Sequence, residues 1–138
     1  MSALKVILTG MATFVLMDFL WLGIVARGFY KNELASLGRF GPDGSMTPLW
    51  SAAVPVYVLL ALGVYAFVLP RADTASWTAA AGWGAAFGLV VYGTYDLTNL
   101  ATLRTYSLNL TVVDMAWGAV INATASVVMQ AAARYFGA

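Results

Sequence analysis

Four apolar stretches, each long enough to cross a lipid bilayer, make up most of this chain of 138 residues. They cover about residues 4–26, 49–69, 76–98 and 107–132, and a helix needs about 20 residues to cross a hydrocarbon core of about 30 Å. Because lipid offers no hydrogen-bond partners, each stretch must satisfy its own backbone and is predicted to be a helix. The predicted fold is all-α, an integral membrane four-helix bundle in which residues 1–138 form a single transmembrane domain.

The composition excludes several classes of function. Only 9% of the residues are charged, against roughly 25% in a soluble domain, so the chain is predicted to be an integral membrane protein. It has no cysteine and no histidine, which removes disulfides, thiol catalysis and the usual zinc sites. The formal charge of +1 gives no basic patch for nucleic acid. We therefore expect no metal, no cofactor and no nucleic-acid partner.

The first apolar stretch is too long for the 7–15-residue core of a signal peptide and carries Asp18, so we expect it to remain as a membrane helix. The connection that follows, about residues 27–48, is the only sizeable segment outside the predicted helices. Five apolar residues recur there at helical spacing and predict a short helix lying in the membrane interface, namely Phe29, Tyr30, Leu34, Leu37 and Phe40. Lysine and arginine counts in the loops favour neither orientation in the membrane.

Local signals mark the ends of the predicted helices. Thr47 before Pro48 has the pattern of an N-cap followed by proline in the first turn, and Ser107 and Asn109 are alternative caps for the last helix. The segment from Gly41 to Gly44 reads as a turn. The acids outside the apolar stretches are expected to be solvated, namely Glu33, Asp43 and Asp73.

Three carboxylates, Asp18, Asp96 and Asp114, lie inside the apolar stretches. A charged side chain at the centre of a spanning helix costs about 2.5–3.5 kcal/mol on insertion scales, and such residues usually serve a function. Successive helices run in opposite directions, so all three acids lie nearer the side on which the first and third loops emerge. At 1.5 Å per residue they fall within roughly one 12 Å layer. The sequence predicts one acidic pocket that opens toward those two loops.

Spacing selects the neighbours of the acids. Tyr92, Tyr95, Asp96 and Asn99 follow the i, i+3, i+4, i+7 pattern of one helix face, and the row continues backward through small residues that favour close helix packing, namely Gly88, Gly84 and Ala80. The pattern Asp-x-x-Trp occurs twice, at Asp18 and Trp21 and at Asp114 and Trp117. Each tryptophan either shapes the pocket or belongs to an interfacial belt.

A second polar face runs along the last helix and includes Asp114 and Asn122. Asn122 is either a ligand of the pocket or a hydrogen-bonding residue between helices. The predicted ligand-binding or proton-binding residues are Asp18, Trp21, Tyr92, Tyr95, Asp96, Asn99, Asp114, Trp117 and Asn122.

Three strings carry a family resemblance, namely Met17-Asp18-Phe19-Leu20-Trp21-Leu22-Gly23, Tyr92-Gly93-Thr94-Tyr95-Asp96-Leu97-Thr98-Asn99-Leu100-Ala101-Thr102-Leu103 and Val113-Asp114-Met115-Ala116-Trp117-Gly118. With them the chain resembles a family of small bacterial predicted membrane proteins catalogued as a domain of unknown function. The resemblance covers nearly the whole chain. It implies a multi-pass four-helix protein of the bacterial inner (cytoplasmic) membrane with marked positions at the acids and their neighbours, and it carries no established activity.

Three functions fit these observations. The first is small-molecule or lipid binding, or proton-coupled transport, in which Asp18 and Asp114 exchange protons or bind a cationic or hydroxylated ligand in a unit that forms a homodimer among membrane lipids. The second is a membrane-embedded enzyme that uses an aspartate pair as acid and base on a lipid or isoprenoid. The third is a structural or assembly partner whose acids pair with Arg27, Arg104 or another subunit.

Overall fold

The computed structural model describes residues 1–72 and 75–138, and within those ranges the chain is helical, with one isolated β-bridge and no strand. This confirms the all-α prediction. The five α-helices are α1 (Ser2–Leu20), α2 (Arg27–Glu33), α3 (Trp50–Gly63), α4 (Trp77–Thr102) and α5 (Leu108–Phe136). Two of them continue in other helical forms, α1 as a π-helical turn (Trp21–Val25) and α3 as a π-helical turn (Val64–Val68) followed by a 3-10 turn (Leu69–Arg71).

Three helical segments of the described residues are long and apolar enough to cross a membrane, namely Ser2–Val25, Trp50–Arg71 and Leu108–Phe136. Helix α4 has 26 residues and is long enough, but its glycines, threonines and tyrosines lower its hydropathy and it is not among them. Helices α4 and α5 extend four residues beyond their predicted ends. The predicted ends were placed where the apolar run stops, but a helix can continue through polar residues, and this accounts for the four additional residues.

Contacts along the helices show that neighbouring long helices run in opposite directions. At the middle of α1, Gly10 contacts Met129 of α5, and near the end of α1 Asp18 contacts Trp117, which comes earlier in α5. Tyr57 of α3 also reaches Asp18. The core between α1, α3 and α5 is apolar, with buried side chains that include Val6, Phe14, Leu60, Val64, Ile121 and Met129.

Helix α4 packs on α5 through glycines. A Cβ built on Gly88 would overlap the carbonyl oxygen of Gly118, and one built on Gly84 would overlap the hydroxyl of Ser126. Ala80, Gly84 and Gly88 are all buried, so the prediction that this row faces protein is confirmed. The close approach aligns Asp96 of α4 with the start of α5.

The first loop differs in detail from its prediction. Helix α2 ends at Glu33, and Phe40 instead pairs with Met46 across a short turn. The turn predicted at Gly41–Gly44 is present: Gly44 has φ +74°, and the Asp43 carboxylate accepts hydrogen bonds from the Ser45 backbone N–H at 3.0 Å and hydroxyl at 2.6 Å. The helix does not continue to Phe40 as the spacing predicted, because this turn reverses the direction of the chain.

The caps were predicted with mixed success. Ser107 caps α5, accepting from the backbone N–H of Leu110 at 3.0 Å. The Thr47 cap is wrong, because α3 begins at Trp50 after Leu49 and both Thr47 and Pro48 precede the helix. The predicted loop acid Asp73 lies outside the described residues.

The first and third loops meet on one side of the protein. The Ser107 hydroxyl donates to the Glu33 carboxylate, and the Ser36 hydroxyl donates to that of Thr105 at 3.3 Å. These contacts place α2 and the α4–α5 connection over the ends of α1, α4 and α5, near which Asp18, Asp96 and Asp114 lie.

Candidate functional site

Asp96 of α4 is completely buried and lies beside Asp114 of α5. The Tyr106 hydroxyl donates to Asp96 Oδ1 at 2.5 Å, while Asp96 Oδ2 is buried and receives no hydrogen bond. The two carboxyl groups lie close enough to share a hydrogen bond when one of them is protonated. Two carboxylates carry no donor between them, so the pair has room for one proton.

Asp114 is held from the loop side. The Tyr30 hydroxyl, carried by α2, donates to Asp114 Oδ1 at 2.5 Å. The indole N–H of Trp21 in turn donates to the Tyr30 oxygen at 3.2 Å. The π-helical turn that begins at Trp21 is the segment that brings this ring under α2, and such turns are frequent at functional sites.

Asp18 accepts hydrogen bonds from residues of α5 and α3. Trp117 Nε1 donates to Asp18 Oδ1 at 2.9 Å, and the Tyr57 hydroxyl donates to Oδ2 at 3.1 Å. The rings of Trp21 and Trp117 stack on each other, so the environments of Asp18 and Asp114 are in contact. We refer to these residues together as the acid cluster: Asp18, Trp21, Tyr30, Tyr57, Asp96, Tyr106, Asp114 and Trp117.

All donors in the acid cluster are neutral. In the part of the chain that the structure describes, no lysine or arginine contributes to the environment of Asp18, Asp96 or Asp114. Arg27 instead donates to the backbone oxygen of Asp43 at 3.3 Å. No group of three or more His, Cys, Asp or Glu residues in the described ranges is arranged to hold a metal ion.

The two tyrosines that lie outside the long helices, Tyr30 and Tyr106, are protonated at neutral pH because the pKa of each hydroxyl is raised. Burial raises the pKa of the Tyr30 hydroxyl well above its ordinary value of 10, and the charge of Asp114 adds to the effect. Burial and the adjacent Asp96 raise the pKa of Tyr106 in the same way. Both hydroxyls are therefore donors at neutral pH, and each covers one member of the Asp96–Asp114 pair.

The structure divides the predicted site residues into two groups. Asp18, Trp21, Asp96, Asp114 and Trp117 come together in the acid cluster. Four others are placed at its edge or apart from it, namely Tyr92, Tyr95, Asn99 and Asn122.

Tyr92 lies between α4 and α5, against Gly118. Tyr95 is 60% exposed and interacts with Asn99. One residue turns a helix by about 100°. The side chains of Tyr95 and Asp96 therefore point in different directions, although the spacing rule assigned both residues to one face. Asn122 is buried in the α4–α5 contact, where its amide donates to the Gly118 carbonyl at 2.8 Å.

Sequence reasoning missed three members of the acid cluster, Tyr30, Tyr57 and Tyr106. Tyr57 lies in an otherwise apolar helix, Tyr30 fitted the short interfacial helix predicted in the first loop, and Tyr106 lies in a short connection. The available signal was that each tyrosine lies toward the same side of the membrane as the acids.

Comparison with known families covers almost the whole chain. The model of a family described as "Predicted membrane protein (DUF2177)" matches residues 3–131. The chain belongs to this family. The match includes every residue of the acid cluster and confirms the resemblance inferred from the three sequence strings, and the DUF2177 family is one of unknown function. No curated protein and no solved structure matches the chain.

Proposed function

We propose that this DUF2177 protein holds and releases protons at the acid cluster in exchange for a small cationic or hydroxylated molecule, as a proton-coupled binding or transport protein. The observation that carries the proposal is the proximity of the Asp96 and Asp114 carboxyl groups, together with the buried Asp96 Oδ2, which receives no hydrogen bond from the described residues. An arrangement of this kind, without a cation from the described chain, calls for a proton or a bound cation.

The proton follows from the balance of charges and donors. Two ionised carboxyl groups in contact repel each other, and a site away from water increases that repulsion. A proton on one of them gives Asp96 Oδ2 the partner that it lacks among the described residues. A positive group that enters the acid cluster can replace that proton, which couples binding to proton release.

The surroundings of the acids suit an organic cation. The stacked rings of Trp21 and Trp117 lie beside the acids, and each ring has one face that the other does not cover. A cation over such a face gains about 0.5–2 kcal/mol. The tyrosine hydroxyls can hydrogen bond to a hydroxylated ligand instead. Because Tyr30 and Tyr106 cover the acid pair, entry from the loop side requires these two side chains to move.

The membrane arrangement that we propose has four crossings in the bacterial inner membrane, with α2 lying in the interface. Helix α4 supports this by packing along α5, a candidate span, through Gly84 and Gly88. Since the chain has no cysteine, single cysteines at Arg71 and Arg104 can report the sides. Four crossings predict that a membrane-impermeant maleimide labels the two positions from opposite sides, and labelling from the same side would exclude them.

We also propose a homodimer in contact with membrane lipids, because four helices enclose little volume for a ligand. The exposed outer side of α4, with Tyr95 and neighbouring Asn99, is the face left for a second copy or for ligand contacts. Cross-linking of a single Tyr95→Cys variant in membranes tests this, and exclusively monomeric protein would contradict it.

The first experiment asks whether the acid pair holds a proton. Infrared spectroscopy of the purified protein should show the C=O stretch of a protonated carboxylic acid that exchanges slowly in D₂O. Asp96→Asn or Asp114→Asn should remove this band, whereas Asp43→Asn, at an exposed loop acid, should leave it. Absence of the band from the unaltered protein would contradict the proposal.

The second experiment tests coupling, with tetraphenylphosphonium as the probe cation. Its addition to weakly buffered protein in detergent should release protons, detected with a pH-sensitive dye. Asp18→Asn and Asp114→Asn should reduce both the affinity and the release, with Asp43→Asn again as the matched control. Binding without proton release, unaffected by Asp18→Asn, would end this proposal.

The Asp96–Asp114 pair also favours a second candidate, a membrane-embedded enzyme acting on a lipid or isoprenoid. A carboxyl pair that shares one proton can supply an acid and a base. The discriminating result is a product in lipid extracts that disappears with Asp96→Asn or Asp114→Asn. If those changes instead alter only the recovery of a complex on purification, the acids serve assembly by pairing with another subunit.

A further inference from the structure

A cavity lies at the end of the protein away from the acid cluster. It has a volume of about 290 Å³ and opens between the end of the α3 segment and the end of α5. Its walls include Tyr65, Leu69, Ala133, Gln130 and Arg134. Arg134 lies 20 residues beyond Asp114 in the same helix, which is about 30 Å along its axis, so this groove is separate from the acid cluster.

A buried amide fixes the cation at the rim of the groove. Gln130 is only 4% exposed and accepts a hydrogen bond from Arg134 Nη2 at 2.9 Å. Its own Nε2 donates to the carbonyl of Ser76, before α4, at 3.3 Å. A guanidinium has five N–H donors, and the contact with Gln130 uses one, so Arg134 is oriented and keeps donors for an anion.

Two basic side chains of the described residues lie near this end of the protein. Lys5 lies near the start of α1 with its ammonium 5.2 Å from the centre of the Phe136 ring, and Arg71 ends the α3 segment. The acids of the described ranges lie in the other half of the helices or in the first loop, namely Asp18, Glu33, Asp43, Asp96 and Asp114.

We propose that this groove binds an anionic phospholipid, with the phosphate on Arg134 and an acyl chain against Tyr65, Leu69 and Ala133. The groove lies at the ends of candidate spans, where lipid headgroups meet water, and its cationic rim and apolar wall match the two parts of such a lipid. Arginine binds phosphate through a planar fork of donors. The inference does not depend on the function proposed for the acid cluster.

Native mass spectrometry of the full chain in detergent tests the proposal. Because Ala138 borders the groove, the protein is used without a C-terminal tag. Phosphatidylglycerol should bind in a one-to-one complex, at least tenfold more tightly than phosphatidylcholine with the same acyl chains. Arg134→Gln should remove that preference, Arg134→Lys should keep part of it, and Arg104→Gln, at an exposed arginine of the opposite end, should leave it unchanged.

Two further experiments test the apolar wall and the phosphate contact separately. Ala133→Trp fills the apolar wall and should weaken phosphatidylglycerol binding with Arg134 still present. Inorganic phosphate at millimolar concentration should not displace the lipid, because it lacks the acyl chain. Equal binding of the two lipids, an unchanged preference in Arg134→Gln with an intact helical circular dichroism spectrum, or displacement by inorganic phosphate would each overturn the proposal.

Discussion

The indole rings of Trp21 and Trp117 stack with their centroids 4.5 Å apart and their planes 7° from parallel. One ring belongs to the turn that extends α1 and the other to α5, and their N–H groups donate to different partners, Tyr30 and Asp18. Through this pair, the residues around Asp18 are in contact with those around Asp114. A substitution at either ring should therefore change the surroundings of both acids.

The stack gives the first prediction. Two parallel indoles in contact should produce an exciton couplet in the circular dichroism spectrum, and Trp21→Phe or Trp117→Phe should each abolish it. Trp83→Phe, at a ring that is 49% exposed, is the matched control and should leave the couplet. A couplet that persists in Trp117→Phe would show that the two rings are not stacked.

Trp117→Phe should also be less stable than Trp83→Phe, because it leaves Asp18 without one of its donors. A hydrogen bond to a charged group contributes about 1.5–3 kcal/mol, and unfolding by SDS in mixed micelles measures the loss. Equal stability of the two variants would mean that the Trp117–Asp18 bond contributes nothing.

The contact between α4 and α5 predicts opposite effects at two glycines of one helix. Gly88→Ala places a methyl group against the Gly118 backbone and should destabilise the protein by about 1–3 kcal/mol. Gly82→Ala meets no heavy atom within 4 Å and should stabilise α4 by up to about 1 kcal/mol. The same SDS unfolding assay compares them, and a neutral Gly88→Ala would contradict the packing described.

Ser107 joins a helix start to the first loop. Its oxygen accepts from the Leu110 N–H and its hydroxyl donates to Glu33, so Ser107→Ala should cost about 0.5–2 kcal/mol for the cap alone. It should also increase hydrogen exchange in α2, which loses a contact with the third loop. Ser51→Ala, at an exposed position in α3, should do neither, and equal exchange in both variants would remove the link between the loops.

The buried tyrosines predict a dependence on alkaline pH. The pKa values of Tyr30 and Tyr106 are raised above 10 by burial and by the adjacent acids, so their contribution to stability is present below pH 10 and is lost as the pH rises above it. Above pH 10, Tyr30→Phe and Tyr106→Phe should lose stability less steeply than the unaltered protein.

Tyrosinate absorbance provides the control for this prediction. The chain has seven tyrosines, and after unfolding at high pH each variant should lack one seventh of the tyrosinate signal. Before unfolding, the signal of either variant should equal that of the unaltered protein, because the deleted hydroxyl was still protonated. A deficit that appears already in the folded protein would show that the tyrosine was not buried.

The sequence was sufficient for the helices and for the depth of the acids. Apolar runs define the long helices because lipid leaves the backbone no alternative to internal hydrogen bonding. Depth counted along alternating helices groups Asp18, Asp96 and Asp114 because it needs only the rise per residue. The glycine row from Ala80 to Gly88 identified the packed face of α4 for the equally simple reason that small residues allow close approach.

The partners of the acids could not be predicted in the same way. Tyr30 and Tyr106 reach the acids from segments that lie outside the apolar stretches of the sequence. Their positions therefore depend on how the first loop turns at Gly44 and meets the third loop. The spacing rule also failed to separate Tyr95 from Asp96, because a face defined at i, i+3 and i+4 is wide enough to include a side chain that points outward. Tertiary contacts decide both cases.

The order in which the ribosome makes this chain bears on Asp18. Its indole partner, Trp117, is synthesised 99 residues later, and Tyr30 precedes its partner Asp114 by 84 residues. The insertion machinery must therefore accept the first segment while its carboxyl group still lacks that indole donor. A product truncated before Trp117 would therefore leave the Asp18 carboxyl group without this donor.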